Sequence, residues 1–256
     1  MPTAEELTDP HVTTYVPPPA AGPGICRTCH NASGGYPRCY SCNESRKEVS
    51  ALDLIVPVSL TRTDQEAQLH NVLRDYKYSP DEEVRAAHRL HIAALLWRFL
   101  DRHTACIERA AGRGFDTLAI VPSKQGRVGQ HPLEQSILIS RTLSGMYLPL
   151  LDPGPGVIGR NASAADGFVA RPEARGRSVL LVDDTMTTGA KMQSAAHALT
   201  TGGADVVAGL TLGRVIDLAD PGPEAPQHVA ELIQLRKEMW ARQSQAGFSF
   251  DTCCLE

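Results

Sequence analysis

One segment, residues 179–190, constrains the fold of this chain more than any other. It reads VLLVDDTMTTGA. The apolar run 179–182 is typical of a central strand in a parallel sheet, buried on both faces. Two carboxylates, Asp183 and Asp184, follow, and a helical pattern begins at Ala190. Because ligands of open α/β sheets bind beyond the carboxyl ends of the strands, the segment predicts a ligand site at this point.

The groups that follow the strand suit a sugar phosphate. Adjacent carboxylates accept hydrogen bonds from a cis-diol and attract Mg²⁺. The first N–H groups of a helix, together with its dipole, favour a phosphate. The candidate phosphate-binding residues are Thr185, Thr187, Thr188, Gly189, Ala190 and Lys191. An ordinary capped turn is the alternative, but capping needs one such polar residue and this turn has several in a fixed order.

Two Cys-x2-Cys pairs near the N-terminus predict a metal site. The pairs are Cys26 with Cys29 and Cys39 with Cys42, joined by a loop that contains glycine and proline. This spacing suits a tetrahedral four-cysteine zinc site. Four protein ligands leave no open position for water, so a structural role is expected. Disulfides are the alternative, which the absence of a recognisable signal peptide disfavours.

A second short apolar run, 117–121, predicts another buried strand followed by a turn that suits a diphosphate. The turn supplies Ser123, Lys124, Gln125 and Arg127. Backbone N–H groups and cations at the carboxyl end of a strand hold phosphate oxygens. A solvated loop with two surface cations is the alternative. If this strand lies beside the strand that ends in Asp183 and Asp184, the diphosphate site is favoured over the solvated loop.

These motifs together resemble the ComF-like (competence protein F) phosphoribosyltransferase family. The match runs in order over about residues 25–216: the four-cysteine knuckle, a leucine-rich helix 69–78 ending in Lys-Tyr, a Val-Pro turn at 121–122 and segment 179–190. Two departures stand out. Lys191 replaces the usual threonine or serine, and QHPLEQ at 130–135 replaces an Arg-Gly-Phe-Asn-Gln-like element.

The resemblance implies an α/β fold, namely the parallel-sheet type I phosphoribosyltransferase fold with a small N-terminal zinc knuckle and a helical hood. It implies transfer of a 5-phosphoribosyl group from phosphoribosyl diphosphate (PRPP) to an unidentified, nitrogenous acceptor, with release of diphosphate. Asp183 and Asp184 are the expected ribose-binding, catalytic pair. The expected cofactors are structural Zn²⁺ and Mg²⁺ bound with PRPP. Residues 152–170 are the candidate lid, Lys77 is an additional candidate contact, and a non-catalytic role is favoured for His131.

Two other functions remain open at this stage. One is a non-catalytic sensor of PRPP or a nucleotide, which uses the same pocket. The other is an accessory factor in DNA uptake or recombination, as the family name suggests, with the zinc knuckle contacting nucleic acid or the competence machinery. The net charge of −4 and pI of about 6.1 argue against a large nucleic-acid footprint. Without an apolar run long enough for a membrane span, a cytoplasmic location is expected, and a homo-oligomer is possible.

Segments that contain glycine and proline mark the predicted boundaries between regions of the chain. The predicted regions are a Pro-rich irregular arm (1–24), the zinc knuckle (25–46), a phosphoribosyltransferase-like domain (47–220, hood 47–110) and a C-terminal helix and tail (221–256). The predicted strands are 52–60, 117–121, 179–182 and 205–212. The predicted helices are 64–77, 81–110, 132–144, 190–199 and 226–243. Pro57 predicts that the first strand lies at a sheet edge, residues 152–176 are expected to form a mobile loop, and Cys106 is expected in the core.

Overall fold

The structure is a computed structural model that describes residues 2–50, 52–62, 68–123, 129–219 and 226–255. Within these ranges the strands are β1 Ile55–Thr61, β2 Thr117–Ile120, β3 Leu151–Pro153, β4 Phe168–Ala170, β5 Ser178–Met186 and β6 Asp205–Val215. The α-helices are α1 Ala4–Thr8, α2 Tyr40–Glu44, α3 Gln68–Tyr78, α4 Glu82–Ala111, α5 Pro132–Ile139, α6 Arg141–Met146, α7 Ala190–Thr201 and α8 Gln227–Ala246. Short 3-10 helices span Asp9–Thr14 and Pro172–Ala174.

The described part of the chain contains a parallel sheet of four strands in the order β1-β6-β5-β2. The strand predicted from 179–182 is therefore an interior strand, and its four apolar residues are fully buried. Their side chains alternate between the two faces: Leu180 and Val182 pack in one core cluster, Val179 and Leu181 in the other. Because both faces are covered, an uninterrupted apolar run is what this position requires.

The first strand lies at the edge of the sheet, as Pro57 predicts. β1 pairs with β6 on one side, and Pro57 stands in register with Thr211. Proline is compatible with an edge strand because it lacks the N–H group that a second neighbour would need. The sequence-predicted class, an α/β protein with a parallel sheet, is confirmed.

Helices from different parts of the chain cover the two faces of the sheet. Leu73 of α3 and Leu95 of α4 pack on the face that carries Leu180. Leu199 of α7 packs on the opposite face, together with the four cysteines of the knuckle. Each face is thus closed by apolar side chains, and the polar ends of β2 and β5 remain at one edge of the layers.

The N-terminal arm is not irregular as predicted. Thr3 caps α1, and its side chain and that of Glu6 form a reciprocal capping box. The arm then packs against α4, where the Tyr15 hydroxyl lies 2.6 Å from Nε2 of His91. The Thr-x-x-Glu pattern was a local signal for this helix that the proline content of the arm obscured.

Two further predictions about elements were wrong. The helix expected over 132–144 is divided at Ser140, which is extended (φ −88°, ψ 121°) and accepts a hydrogen bond from the Leu143 N–H as the cap of α6. The segment 152–176 is not an irregular loop throughout, because β3 and β4 pair antiparallel. Cys106 is half-buried and not a core residue.

Candidate functional site

A pocket of about 450 Å³ opens at the carboxyl ends of β2 and β5, where segment 179–190 predicts a ligand site. It brings together residues from α3, from the turn after β2, from the segment between β3 and β4, and from the start of α7. The lining residues are Lys77, Tyr78, Val121, Pro122, Ser123, His131, Ile158, Gly159, Arg160 and 183–192. The pocket therefore combines segment 179–190 with Lys77, Ser123 and part of the candidate lid.

Asp184 lies at the centre of a buried polar network. Its side chain is 4% exposed, and its Oδ2 atom lies 2.5 Å from Nζ of Lys77. The Tyr76 hydroxyl donates a hydrogen bond to the same oxygen. Burial alone would raise the pKa of Asp184, but the Lys77 charge and the hydrogen bonds from Lys77 and Tyr76 lower it below the usual range. Asp184 is therefore a fixed carboxylate within the site.

Asp183 differs from its neighbour in ionisation. Burial raises its pKa, and the adjacent Asp184 charge raises it further. Its Oδ1 accepts a hydrogen bond of 2.9 Å from the Asp184 N–H. The two carboxyl groups thus have pKa values pushed in opposite directions by their surroundings, a pattern that clusters at functional sites. A cation bound beside Asp183 would favour its ionised form.

The turn from Thr187 to Gly189 forms a cradle at the start of α7. Gly189 occupies the N-cap position with φ +89° and provides no capping side chain, and the first residues of α7, 190–192, line the pocket. The Thr188 hydroxyl donates to the Arg160 carbonyl, which ties the cradle to the segment between β3 and β4. This arrangement is suited to an anion.

Some of the remaining predicted site residues line the pocket, and others lie outside the described residues. Ser123 and Lys191 both line the pocket, and Lys191 lowers the pKa of Asp183 by its charge, against the larger effect of burial. Lys124, Gln125 and Arg127, predicted to hold a diphosphate, lie outside the described residues. His131 also lines the pocket, and its Nδ1 accepts a hydrogen bond of 3.2 Å from the Leu133 N–H as the cap of α5.

The candidate lid is an ordered extension of the β3–β4 pair. Ile158, Gly159 and Arg160 line the pocket. Backbone bonds cross the extension, including Gly156 N–H to the Asp166 carbonyl at 3.1 Å. A Cβ atom at position 154 would lie 2.2 Å from the Asp166 carbonyl oxygen, so this close approach of two backbone segments requires glycine. The segment contributes pocket residues while remaining largely exposed.

The four cysteines predicted as zinc ligands lie together and are buried. Cys26, Cys29, Cys39 and Cys42 are at most 2% exposed, and their sulfur atoms all lie within 4.8 Å of one another. The Cys29 and Cys39 sulfurs are 3.7 Å apart. A tetrahedral site with zinc–sulfur bonds of about 2.3 Å has sulfur–sulfur edges of about 3.8 Å. The donor set and its geometry therefore fit zinc, in a site closed to water.

His30, beside Cys29, is not part of the cluster. It has a left-handed backbone (φ 59°), and its Nδ1 lies 2.9 Å from the Pro19 carbonyl oxygen. Its ring therefore holds the Pro-rich arm against the knuckle.

Arg214 is the residue that sequence reasoning missed. It lies on β6, is 0% exposed, and is located between the cysteine cluster and the anion cradle. Its Nη2 donates to the Cys29 sulfur at 3.6 Å, and its Nη1 donates to the carbonyls of Thr187 and, at 3.1 Å, Met186. A basic residue that follows the apolar run 206–212 was the available signal. Arg214 links the two sites through one side chain.

A second pocket of about 390 Å³ adjoins the first and shares Lys77 and Tyr78 with it. Its other lining residues are Tyr76, Glu82, Arg85, Arg89, Gln130, Pro132 and Gln135. Residues of the QHPLEQ stretch thus lie beside the first pocket. The two pockets together provide room for two small molecules side by side.

No protein-family model matches this chain, and no curated protein matches it significantly. The structure and the sequence motifs are consequently the basis for any function. Among the described residues, no helix combines the length and apolar character that crossing a membrane requires.

Proposed function

We propose that this protein binds PRPP with Mg²⁺ and transfers its 5-phosphoribosyl group to a nitrogenous acceptor, with release of diphosphate. The observation that carries the proposal is the convergence, in one pocket, of the Asp183–Asp184 pair with the cradle at the start of α7. A carboxylate pair accepts hydrogen bonds from a vicinal diol, and a helix N-terminus holds a monophosphate. A ribose 5-phosphate unit contains both groups.

Each part of the pocket has a role in this proposal. The backbone N–H groups after Thr187 and the side chain of Lys191 bind the 5-phosphate. Asp184, held ionised by Lys77, orients the ribose hydroxyls, and Mg²⁺ bound with PRPP would favour the ionised form of Asp183 against the effect of its burial. Ser123, which lines the pocket, binds the diphosphate. Mg²⁺ bound with the diphosphate would supply neutralisation of the leaving group.

The protein has little covalent chemistry to perform in such a transfer. Orientation of the ribose, stabilisation of charge in a fixed polar site and exclusion of water are sufficient sources of rate enhancement. The segment around Ile158 and Arg160 is positioned to cover the bound ligand. The adjoining pocket, lined by Arg85, Arg89 and Gln135, gives an acceptor a place beside the ribose.

The test of turnover is release of diphosphate from PRPP and Mg²⁺ in the presence of a panel of nucleobases and other nitrogenous acceptors. We expect release with at least one acceptor, and product formation detected by mass spectrometry in the same reaction. PRPP binding without release for any acceptor would establish the non-catalytic sensor instead. Ribose 5-phosphate and diphosphate, each added alone, serve as ligands that occupy half of the pocket.

A further inference from the structure

We propose a second metal site, formed by His103, Cys106 and Cys253, which takes a thiophilic divalent ion such as Zn²⁺. One ring nitrogen of His103 and the two sulfur atoms all lie within 4.8 Å of one another. This inference is independent of the proposed function, because the site lies apart from the residues that line the sugar-phosphate pocket.

The placement of the three residues follows from one helix and one tail. His103 and Cys106 are three residues apart on α4 and so lie on the same helix face. Cys253 comes from the segment after α8. A sequence separation of about 150 residues between two of the ligands means that only the tertiary fold assembles the set.

Independent contacts hold the tail against α4 at this point. The Arg98 guanidinium lies over the Phe250 ring, 4.1 Å from its centroid, and Arg102 pairs with Asp251 at 3.7 Å. Cys254 is 4% exposed and packs in the same core cluster as Phe250. Cys253 is therefore presented to α4 by its neighbours on both sides.

The donor set determines the kind of ion. Thiolate and imidazole ligands favour zinc and other soft or borderline metals over Mg²⁺ or Ca²⁺, which prefer oxygen. Three protein ligands leave one position for water or an exogenous ligand. His103 is 2% exposed whereas Cys106 and Cys253 are half-buried, so the set lies at the boundary of core and solvent. This differs from the closed cysteine quartet.

The two sites lie on opposite faces of the sheet. The cysteine quartet belongs to the core cluster that contains Leu181, and Cys253 packs against the cluster that contains Leu180. Loss of one metal should therefore leave the other in place. A metal at the second site would fasten the C-terminal tail to the longest described helix.

The experiment is a zinc count on the full-length reduced protein, by native mass spectrometry and elemental analysis after addition of Zn²⁺ and removal of excess. We expect two ions per chain for the wild type and one for Cys106→Ala and for Cys253→Ala. The matched control is Cys254→Ala, which removes the adjacent thiol and should keep two. Cobalt substitution should show thiolate-to-metal absorption that weakens in the first two variants alone.

Two results would overturn the proposal. One is a single metal ion per chain in the wild type, unchanged in the Cys106 and Cys253 variants. The other is peptide mapping that finds a Cys106–Cys253 disulfide persisting under reducing conditions, because the same thiols cannot then bind metal. His103→Gln provides a check that does not alter a thiol, and it should also reduce the count to one.

Discussion

At the scale of single residues, the pocket depends on a buried carboxylate that has two partners. Asp184 accepts from Tyr76 and pairs with Lys77, and removal of one member of a buried pair leaves an uncompensated charge. Burial explains why this carboxylate is fixed, and the pairing explains why it remains ionised.

The first prediction concerns the stability of the variant Lys77→Met. We expect a loss of about 3–5 kcal/mol in the free energy of unfolding, measured by urea denaturation, because Asp184 is left buried without its cation. The double variant Lys77→Met with Asp184→Asn should recover a large part of that loss. Equal stability of the single variant and the wild type would mean that the pair does not form.

The second prediction concerns Gly189. Its φ of +89° is costly for alanine, so Gly189→Ala should destabilise the protein by about 1 kcal/mol and weaken binding of PRPP as the cradle shifts. Gly176→Ala is the matched control, with φ +76°, open space around a Cβ, and a position outside the pocket lining. It should show the same destabilisation with unchanged affinity. Unchanged PRPP affinity in Gly189→Ala would contradict the cradle assignment.

At the scale of elements, local signals predicted those parts of the fold that local physics determines. The apolar run of β5 requires burial on both faces, and Pro57 requires an edge. The break at Ser140 was missed because the apolar pattern continues through it, although serine is a good cap.

Contacts between distant parts of the chain could not be predicted in this way. The Tyr76–Asp184 bond joins residues 108 positions apart, and the Arg214–Cys29 contact spans 185 positions. No periodicity encodes such pairs, because they depend on how the helices and strands pack. The start of α7 after Gly189 was predictable from local sequence, whereas Lys77, the cation that pairs with Asp184, was only an additional candidate.

The third prediction concerns the docking of the N-terminal arm on α4. Burial lowers the pKa of His91 from its usual 6.5 to about 4. The folded state therefore binds fewer protons than the unfolded state between these values, and stability falls as the pH falls through this window. The total loss should be roughly 3 kcal/mol by pH 4.

The check is a series of urea denaturation curves between pH 4 and 7. His91→Gln should flatten this part of the pH dependence, whereas the exposed His228→Gln should retain it. A His91 variant with the same slope as the wild type would show that the slope arises elsewhere. The His11 ring lies against the His91 ring, with centroids 4.6 Å apart. His11→Gln therefore tests whether this neighbour contributes to the slope.

At the scale of the whole molecule, Arg214 joins the cysteine cluster to the anion cradle. One buried guanidinium holds a sulfur of the cluster and two carbonyls of the turn before α7. Four thiolates around Zn²⁺ carry a net negative charge that a buried cation offsets. A metal ion at the cysteine cluster would thereby support the geometry of the pocket.

The fourth prediction is that Arg214→Met weakens PRPP binding about tenfold or more, because the freed carbonyls no longer hold the turn in place. Calorimetry on zinc-loaded protein measures the effect, and zinc content is determined on the same sample. Arg46→Met is the control, since Arg46 stands at the end of the knuckle segment, donates to the Leu52 carbonyl and Asp53, and does not line the pocket. Wild-type affinity for PRPP in Arg214→Met would show that the pocket does not depend on the contact between Arg214 and the cysteine cluster.

The central claim is that the Asp183–Asp184 pair and the cradle together bind PRPP. The most direct measurement is a calorimetric titration of PRPP and Mg²⁺ into the wild type and into Asp183→Asn with Asp184→Asn. Asp205→Asn, at the opposite end of the sheet, is the control. The account predicts saturable binding to the wild type and the control, and none to a folded double variant. Equal affinity for all three proteins would contradict it.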